Sequence, residues 1–185
     1  ELAKYQIKLG AVGIAVAKLG EAEIMAEAGI KDIQVANIIV GESKIRRLRN
    51  LHRKCRLTVA IDSFDNARSV AKLFAKEKSP LSIFIKINSG LNRCGLDSFN
   101  DAIKLVKRVS QLKGIKIIGL MTHAGHAYGA STLNDVKRIG RDEGKLLVEY
   151  ARGLSKNGFD MRILSAGSTP TAPYCSPVTG ITELT

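Results

Sequence analysis

"LTVAIDSFDNARSVAKLFAKEKSPLSIFIKIN", Leu57–Asn88, decides the fold class. Leu57–Asp62 is an apolar run of strand length and predicts a strand. Asp65–Lys78 carries apolar residues at helical spacing and predicts a helix, and Ser82–Asn88 predicts a second strand. Strand, helix and strand in that order make a βαβ unit with parallel strands.

The same alternation continues in both directions. Upstream lie an apolar run over Gly10–Ala17, a helix over Leu19–Ala28 closed by Gly29, a run over Ile33–Ala36 and a helix over Glu42–Lys54. Downstream lie a helix over Ser98–Leu112, a strand over Ile115–His123 and a longer helix over Asn134–Lys156 followed by Gly158. Met161–Ala166 is the last clear strand, and Ile181–Thr185 is the weak start of another. No Gly-x-Gly-x-x-Gly follows the first run, so a dinucleotide fold lacks its usual sign. Polar residues instead follow many strand ends: Lys18, Asn37, Asp62, Asn88 with Arg93, His123 with His126, and Ser168 with Thr169. Many strands feeding one rim is the habit of a (β/α)8 barrel. The expected fold is therefore α/β, a TIM barrel. About six clear strands against the eight of a closed barrel make residues 1–185 a partial barrel domain, truncated at both ends.

Charge and composition narrow the function. Lys and Arg number 29 against 17 Asp and Glu, a net +12. These cations sit mostly on predicted helices, as in Ser43–Arg49 and Ile103–Val109, where they alternate with apolar positions as solvated faces do. No aromatic residues interleave with them as stacking platforms, which argues against a nucleic-acid surface. No run approaches the ~20 apolar residues of a membrane span. Three widely spaced cysteines (Cys55, Cys94, Cys175), with no Cys-x-x-Cys, predict a reducing, cytoplasmic setting without a zinc ribbon.

Three segments carry candidate chemistry. In Ser165–Tyr174, "SAGSTPTAPY", an apolar strand opens into Gly167, Ser168 and Thr169. Glycine lets backbone approach a ligand and hydroxyls donate to an anion, so a phosphate cup and an ordinary turn are both open. Thr122–Tyr128, "THAGHAY", places His123 and His126 three apart after a strand, as metal ligands, a base and its orienter, a ring platform, or plain structural histidines. In Ser82–Asn88 the period of two puts Ile83, Ile85 and Ile87 on one face and Phe84, Lys86 and Asn88 on the other. An inward Lys86 needs a partner or a modification, unless it reaches solvent. Arg93 follows on a glycine-bounded loop, within reach of an oxyanion. His52, on a basic helix, is read as surface.

Together these stretches resemble a known family. GAVGIAVAKLGEAEIMAEAGI (Gly10–Ile30), NRCGL (Asn92–Leu96), GLMTHAGHAY (Gly119–Tyr128) and SAGSTPT (Ser165–Thr171) are similar, in order, to the fold type III pyridoxal-phosphate enzymes. These are the alanine racemase-like barrels, and the resemblance is to their D-threonine aldolase and D-serine dehydratase branch. The resemblance implies that Gly167, Ser168 and Thr169 hold the cofactor phosphate and that His123 lies against the pyridine ring. It implies Arg93 at the phenolic oxygen, Tyr128 near the ring nitrogen and His126 near the substrate hydroxyl. It further implies a homodimer, a covalent lysine upstream of Glu1, and a divalent metal whose ligands lie in a C-terminal β-domain outside these residues. Neither Lys4 nor Lys18 is that lysine. Lys86 departs from the branch: seven residues before Arg93, it is more like alanine racemases, where a lysine at that place can be carbamylated and pairs with the arginine.

The activity so implied is a pyridoxal-phosphate-dependent lyase acting on D-3-hydroxy amino acids, with these residues alone inactive. An aldolase breaks Cα–Cβ as a base takes the β-hydroxyl proton. A dehydratase removes the α-proton and expels the hydroxyl, assisted by a metal as Lewis acid. Alternatives are an amino-acid racemase, which Lys86 favours, a non-catalytic pyridoxal-phosphate-binding protein, and a barrel for another phosphorylated ligand or RNA.

Overall fold

The computed structural model describes residues 1–185. Its elements are α1 (Leu2–Lys8), β1 (Ile14–Val16), α2 (Leu19–Glu27), β2 (Asp32–Val35), α3 (Glu42–His52), β3 (Arg56–Ile61), α4 (Phe64–Phe74), β4 (Leu81–Lys86), α5 (Phe99–Val109) and β5 (Ile115–Met121). A 3-10 helix (Gly125–Gly129), α6 (Leu133–Lys156), β6 (Ile163–Ala166), α7 (Ala172–Cys175) and β7 (Glu183–Leu184) follow. The strands pair in chain order, β1 through β7, in one seven-stranded sheet. Pairing is parallel, with Ile14 opposite Ile33, Ile33 opposite Leu57, Leu120 opposite Leu164 and Ser165 opposite Glu183. Seven parallel strands, one short of a closed barrel's eight, are consistent with the partial barrel expected from the sequence, and these residues do not complete a barrel.

The chain divides into two compact units, Glu1–Ile83 with Gln111–Lys116, and Phe84–Ser110 with Ile117–Thr185. In the first, β3 buries every residue from Leu57 to Ile61. α3 turns Ile45, Leu48 and Leu51 inward, and α4 turns in Ala67, Val70, Ala71 and Phe74, the spacing of a one-sided helix. Their outer faces are basic but paired. Arg47 of α3 bonds Glu23 of α2 at 2.5 Å. Arg49 and Arg53 converge on Glu77, Arg53 at 2.8 Å. His52 is half-buried rather than a surface residue: its ring meets Phe74 edge-on at 5.4 Å and its Nε2 reaches Ser79 Oγ at 3.1 Å.

In the second unit, two helices start on hydroxyl caps. Ser98 Oγ accepts the Asp101 N–H at 3.1 Å and opens α5, and Thr132 Oγ1 accepts the Asp135 N–H at 3.1 Å and opens α6. β5 and β6 approach so closely at Gly119 that a Cβ there would lie 1.8 Å from the Ile163 carbonyl oxygen. α6 buries Gly140, Glu143, Gly144, Leu147, Val148, Tyr150 and Leu154, an inward stripe with one carboxylate in it.

Several boundaries differ from the sequence reading. The helix expected over Asp65–Lys78 ends at Phe74, where the chain turns (Glu77 N–H to Phe74 carbonyl, 2.9 Å) ahead of Pro80. The first strand contracts to Ile14–Val16, matching the short span of its partner. β6 starts at Ile163, where pairing to Gly119 begins, although Met161 is buried before it. α7 is a single turn hidden behind Pro170 and Pro173, with no periodic signal at that length.

Candidate active site

The site lies in the second unit, where the segments after β4, β5 and β6 carry the polar groups. Lys86 ends β4 and is only 2% exposed, so it does not reach out to solvent. The loop after it is organised by Asn88. Its Oδ1 accepts the N–H groups of Gly90 (3.0 Å) and Asn92 (3.1 Å), and its Nδ2 donates to Asn92 Oδ1 and Asp97 Oδ1, both at 2.7 Å. Asn92 is thereby held at φ 56°. Arg93, next along, is exposed. A small cavity is lined by Lys86, Asn88, Ser89, Arg93, Cys94 and His123.

His123 follows β5. Its Nδ1 lies 3.1 Å from the Gly167 carbonyl oxygen. A carbonyl only accepts, so Nδ1 carries the proton and Nε2 keeps its lone pair. Burial lowers the His123 pKa, and the charges of Lys86 and Arg93 lower it further, against the raising effects of the Gly167 bond and Glu143. The net direction favours the neutral imidazole. Three residues on, His126 packs over Gly90, where a Cβ would lie 3.0 Å from its Cε1. Its Nδ1 is buried without a partner. Tyr128, in the same 3-10 helix, is 67% exposed and does not line the cavity. The structure thus brings Lys86, Arg93 and His123 together and leaves Tyr128 apart.

After β6, Gly167 takes φ 120°, a conformation suited to glycine. The expectation is that backbone amides here meet an anion, and two of them are engaged within the protein. The Gly167 N–H donates to Glu143 Oε1 at 3.2 Å, and the Ser168 N–H to Thr171 Oγ1 at 2.9 Å. Both amides point into the protein, and Ser168 is itself 2% exposed. Thr169 is exposed, and neither its N–H nor its hydroxyl meets a protein acceptor. Within the triplet, Thr169 is the outward donor.

Glu143 and Thr171 were absent from the sequence reading. Glu143, 1% exposed, accepts four hydrogen bonds: Thr122 Oγ1 (2.7 Å), Ala124 N–H (2.8 Å), Gly167 N–H (3.2 Å) and Thr171 Oγ1 (3.0 Å). The available signal was an acid on an otherwise apolar stripe, between Gly140 and Gly144. Those glycines admit the following loop: a Cβ at 140 would meet the Thr171 carbonyl at 2.9 Å, and one at 144 would meet Val178 at 2.9 Å.

The residues fit pyridoxal phosphate, the cofactor that the resemblance implies. Outward donors at Thr169 suit a phosphate, and two cations beside a neutral imidazole suit an anionic aromatic ring. They do not fit a metal: no group of three His, Cys, Asp or Glu side chains that could hold an ion forms. The divalent metal implied by the resemblance has no ligand set among these residues.

The model of the alanine racemase N-terminal domain matches residues 1–180. The chain belongs to this family. D-threonine aldolase from an Arthrobacter species is 27% identical over 184 residues, covering 100% of this chain and 48% of the relative. D-threo-3-hydroxyaspartate dehydratase from Delftia sp. (strain HT23) is 29% identical over 184 residues, covering 99% and 48%. The solved D-threonine aldolase from Filomicrobium marinum superposes with a TM-score of 0.93 at 26% identity, over 99% of this chain and 50% of that one. The alanine racemase-like fold is thus established, and the chain spans about half the length of the relatives it matches. No helix of this family member is long and apolar enough to cross a membrane.

Proposed function

We propose that the protein is a pyridoxal-phosphate-dependent lyase acting on D-3-hydroxy amino acids, of the D-threonine aldolase or D-serine dehydratase type. The observation that carries this reading is the neutral His123 held by Gly167, beside Lys86 and Arg93, on the loop that turns Thr169 outward. Bound there, pyridoxal phosphate supplies an electron sink for charge developing on the amino acid. Thr169 offers its N–H and hydroxyl to the phosphate, on the loop that Gly167 and Ser168 shape from within. His123 supports the ring face, and Arg93 meets the phenolic oxygen. His126 takes or holds the β-hydroxyl proton, consistent with a buried Nδ1 that no protein group engages. Tyr128 is assigned to the ring nitrogen on the resemblance alone. The protein is further read as a cytoplasmic homodimer whose divalent metal is bound by residues other than these.

A second reading, amino-acid racemase, is favoured by Lys86, a buried lysine lining the same cavity as Arg93. The test is a product assay of the full-length protein with D-threonine, D-serine, D-3-hydroxyaspartate and alanine. Glycine with an aldehyde identifies an aldolase, and a 2-oxo acid with ammonia a dehydratase. Inverted alanine alone would replace the lyase reading with the racemase.

A further inference from the structure

Glu143 is a buried carboxylate facing four neutral donors, with no ion pair. A buried charge without a counter-ion is costly. Beside a loop that would hold an anion, its negative charge is a second cost. A neutral acceptor would avoid both, so what the carboxylate provides is acceptor capacity on both oxygens. Oε1 takes Thr122, Ala124 and Gly167, and Oε2 takes Thr171. A glutamine would present an N–H2 group to one of these donors.

The consequence runs outward through hydroxyls. Thr171 has one proton and gives it to Glu143 Oε2. Its oxygen, 2.9 Å from Ser168 Oγ and 2.9 Å from the Ser168 N–H, is then an acceptor to both. Ser168 therefore turns its hydroxyl and its amide inward, and the next residue, Thr169, turns outward. The same carboxylate bonds Thr122 and Ala124, which flank His123, and His123 bonds back to the Gly167 carbonyl. One side chain thus ties the ring platform to the loop.

We propose that Glu143 is a positioning residue that fixes the hydroxyl chain from Ser168 through Thr171 and so shapes Gly167–Thr171 as a phosphate-binding loop in register with His123. The inference rests on the pyridoxal-phosphate reading. Glu143 itself would touch neither cofactor nor substrate.

The test compares binding of pyridoxal phosphate and of pyridoxal, which lacks the phosphate, to the purified chain by equilibrium dialysis. Wild type, Glu143→Ala, Thr171→Val and Thr171→Ser are measured, with thermal melts to confirm folding. Thr171→Val severs the one hydroxyl link from Glu143 to Ser168, while Thr171→Ser restores it. The expectation is that Glu143→Ala and Thr171→Val each weaken pyridoxal phosphate by about tenfold, the loss of one charge-assisted hydrogen bond. Pyridoxal binding should change by less than about threefold, a difference too small for a lost charged contact. Thr171→Ser should keep the wild-type preference. Should Glu143→Ala fail to fold, the two Thr171 variants decide alone. Parallel loss of both ligands, or a Thr171→Val that behaves as wild type, would overturn the inference while leaving the cofactor reading intact. A wild-type chain that binds pyridoxal phosphate no better than pyridoxal would instead overturn the cofactor reading, and this inference with it.

Discussion

Glu77 and Glu143 are two largely covered carboxylates held in opposite ways. Glu77 faces two cations, Arg49 and Arg53, on the flank of α3. Their hydrogen bonds, Arg53 first, pull its pKa down to about 2. Glu143 faces no cation, only hydroxyls and backbone amides from two strand ends. The first arrangement joins a helix to the turn beyond its neighbour and neutralises a basic face. The second sets the direction of every donor around it. Ion pairs tolerate variable geometry and contribute little at a wet surface. Four buried bonds to one carboxylate define positions, which is what a site requires.

The contrast can be broken most forcefully at Glu143. Glu143→Ala leaves four buried donors without an acceptor, at about 1 kcal/mol or more each. Urea denaturation should show a loss of about 4 kcal/mol or more, little affected by salt. A loss that disappears in high salt would place Glu143 in the same class as Glu77.

His123 comes next. His123→Ala removes the bond to Gly167 and should cost about 1 kcal/mol at pH 8. The folded pKa of His123 lies below its ordinary value of 6.5. The unfolded chain then binds the proton more readily, so the wild type loses stability as pH falls below about 6.5. The variant should lose that part of the pH dependence. Nitrogen-15 NMR should find the proton on Nδ1 at pH 7, and a proton on Nε2 would contradict the bond to Gly167.

Glu77→Gln should have a smaller effect than either, with its pH dependence confined to a window. A depressed carboxylate pKa contributes stability that is present above its ordinary value of 4.5 and is lost as pH falls toward about 2. The variant should flatten the acid limb of the stability curve there, and about 1 M salt should shrink the difference. Smallest of all is Tyr128→Phe. With the ring 67% exposed, its stability should stay within about 0.5 kcal/mol of wild type.

The same contrast explains what was legible in the sequence. β3, α4 and β4 are legible because burial imposes a pattern, and His123, Arg93 and Gly167–Thr169 stand out as candidates because polar loop residues after strands are few. Glu143 was hidden in α6, a 24-residue helix whose charges otherwise look like a solvated face. Its partners lie 19 to 28 residues away, beyond any local pattern. The inward turn of the Gly167 and Ser168 amides was equally invisible, because composition gives a loop's donors but not their direction. The extent of β7 was foreseen only weakly, since two paired residues carry no periodicity.

On the proposed reading, the loop after β6, with His123 beside it, takes pyridoxal phosphate. A crystal structure of the chain with pyridoxal phosphate tests it most directly. The phosphate should lie against the Thr169 N–H and hydroxyl, with the ring on His123 and the phenolic oxygen toward Arg93. Pyridoxal phosphate bound elsewhere on the chain, with the loop empty, would contradict it.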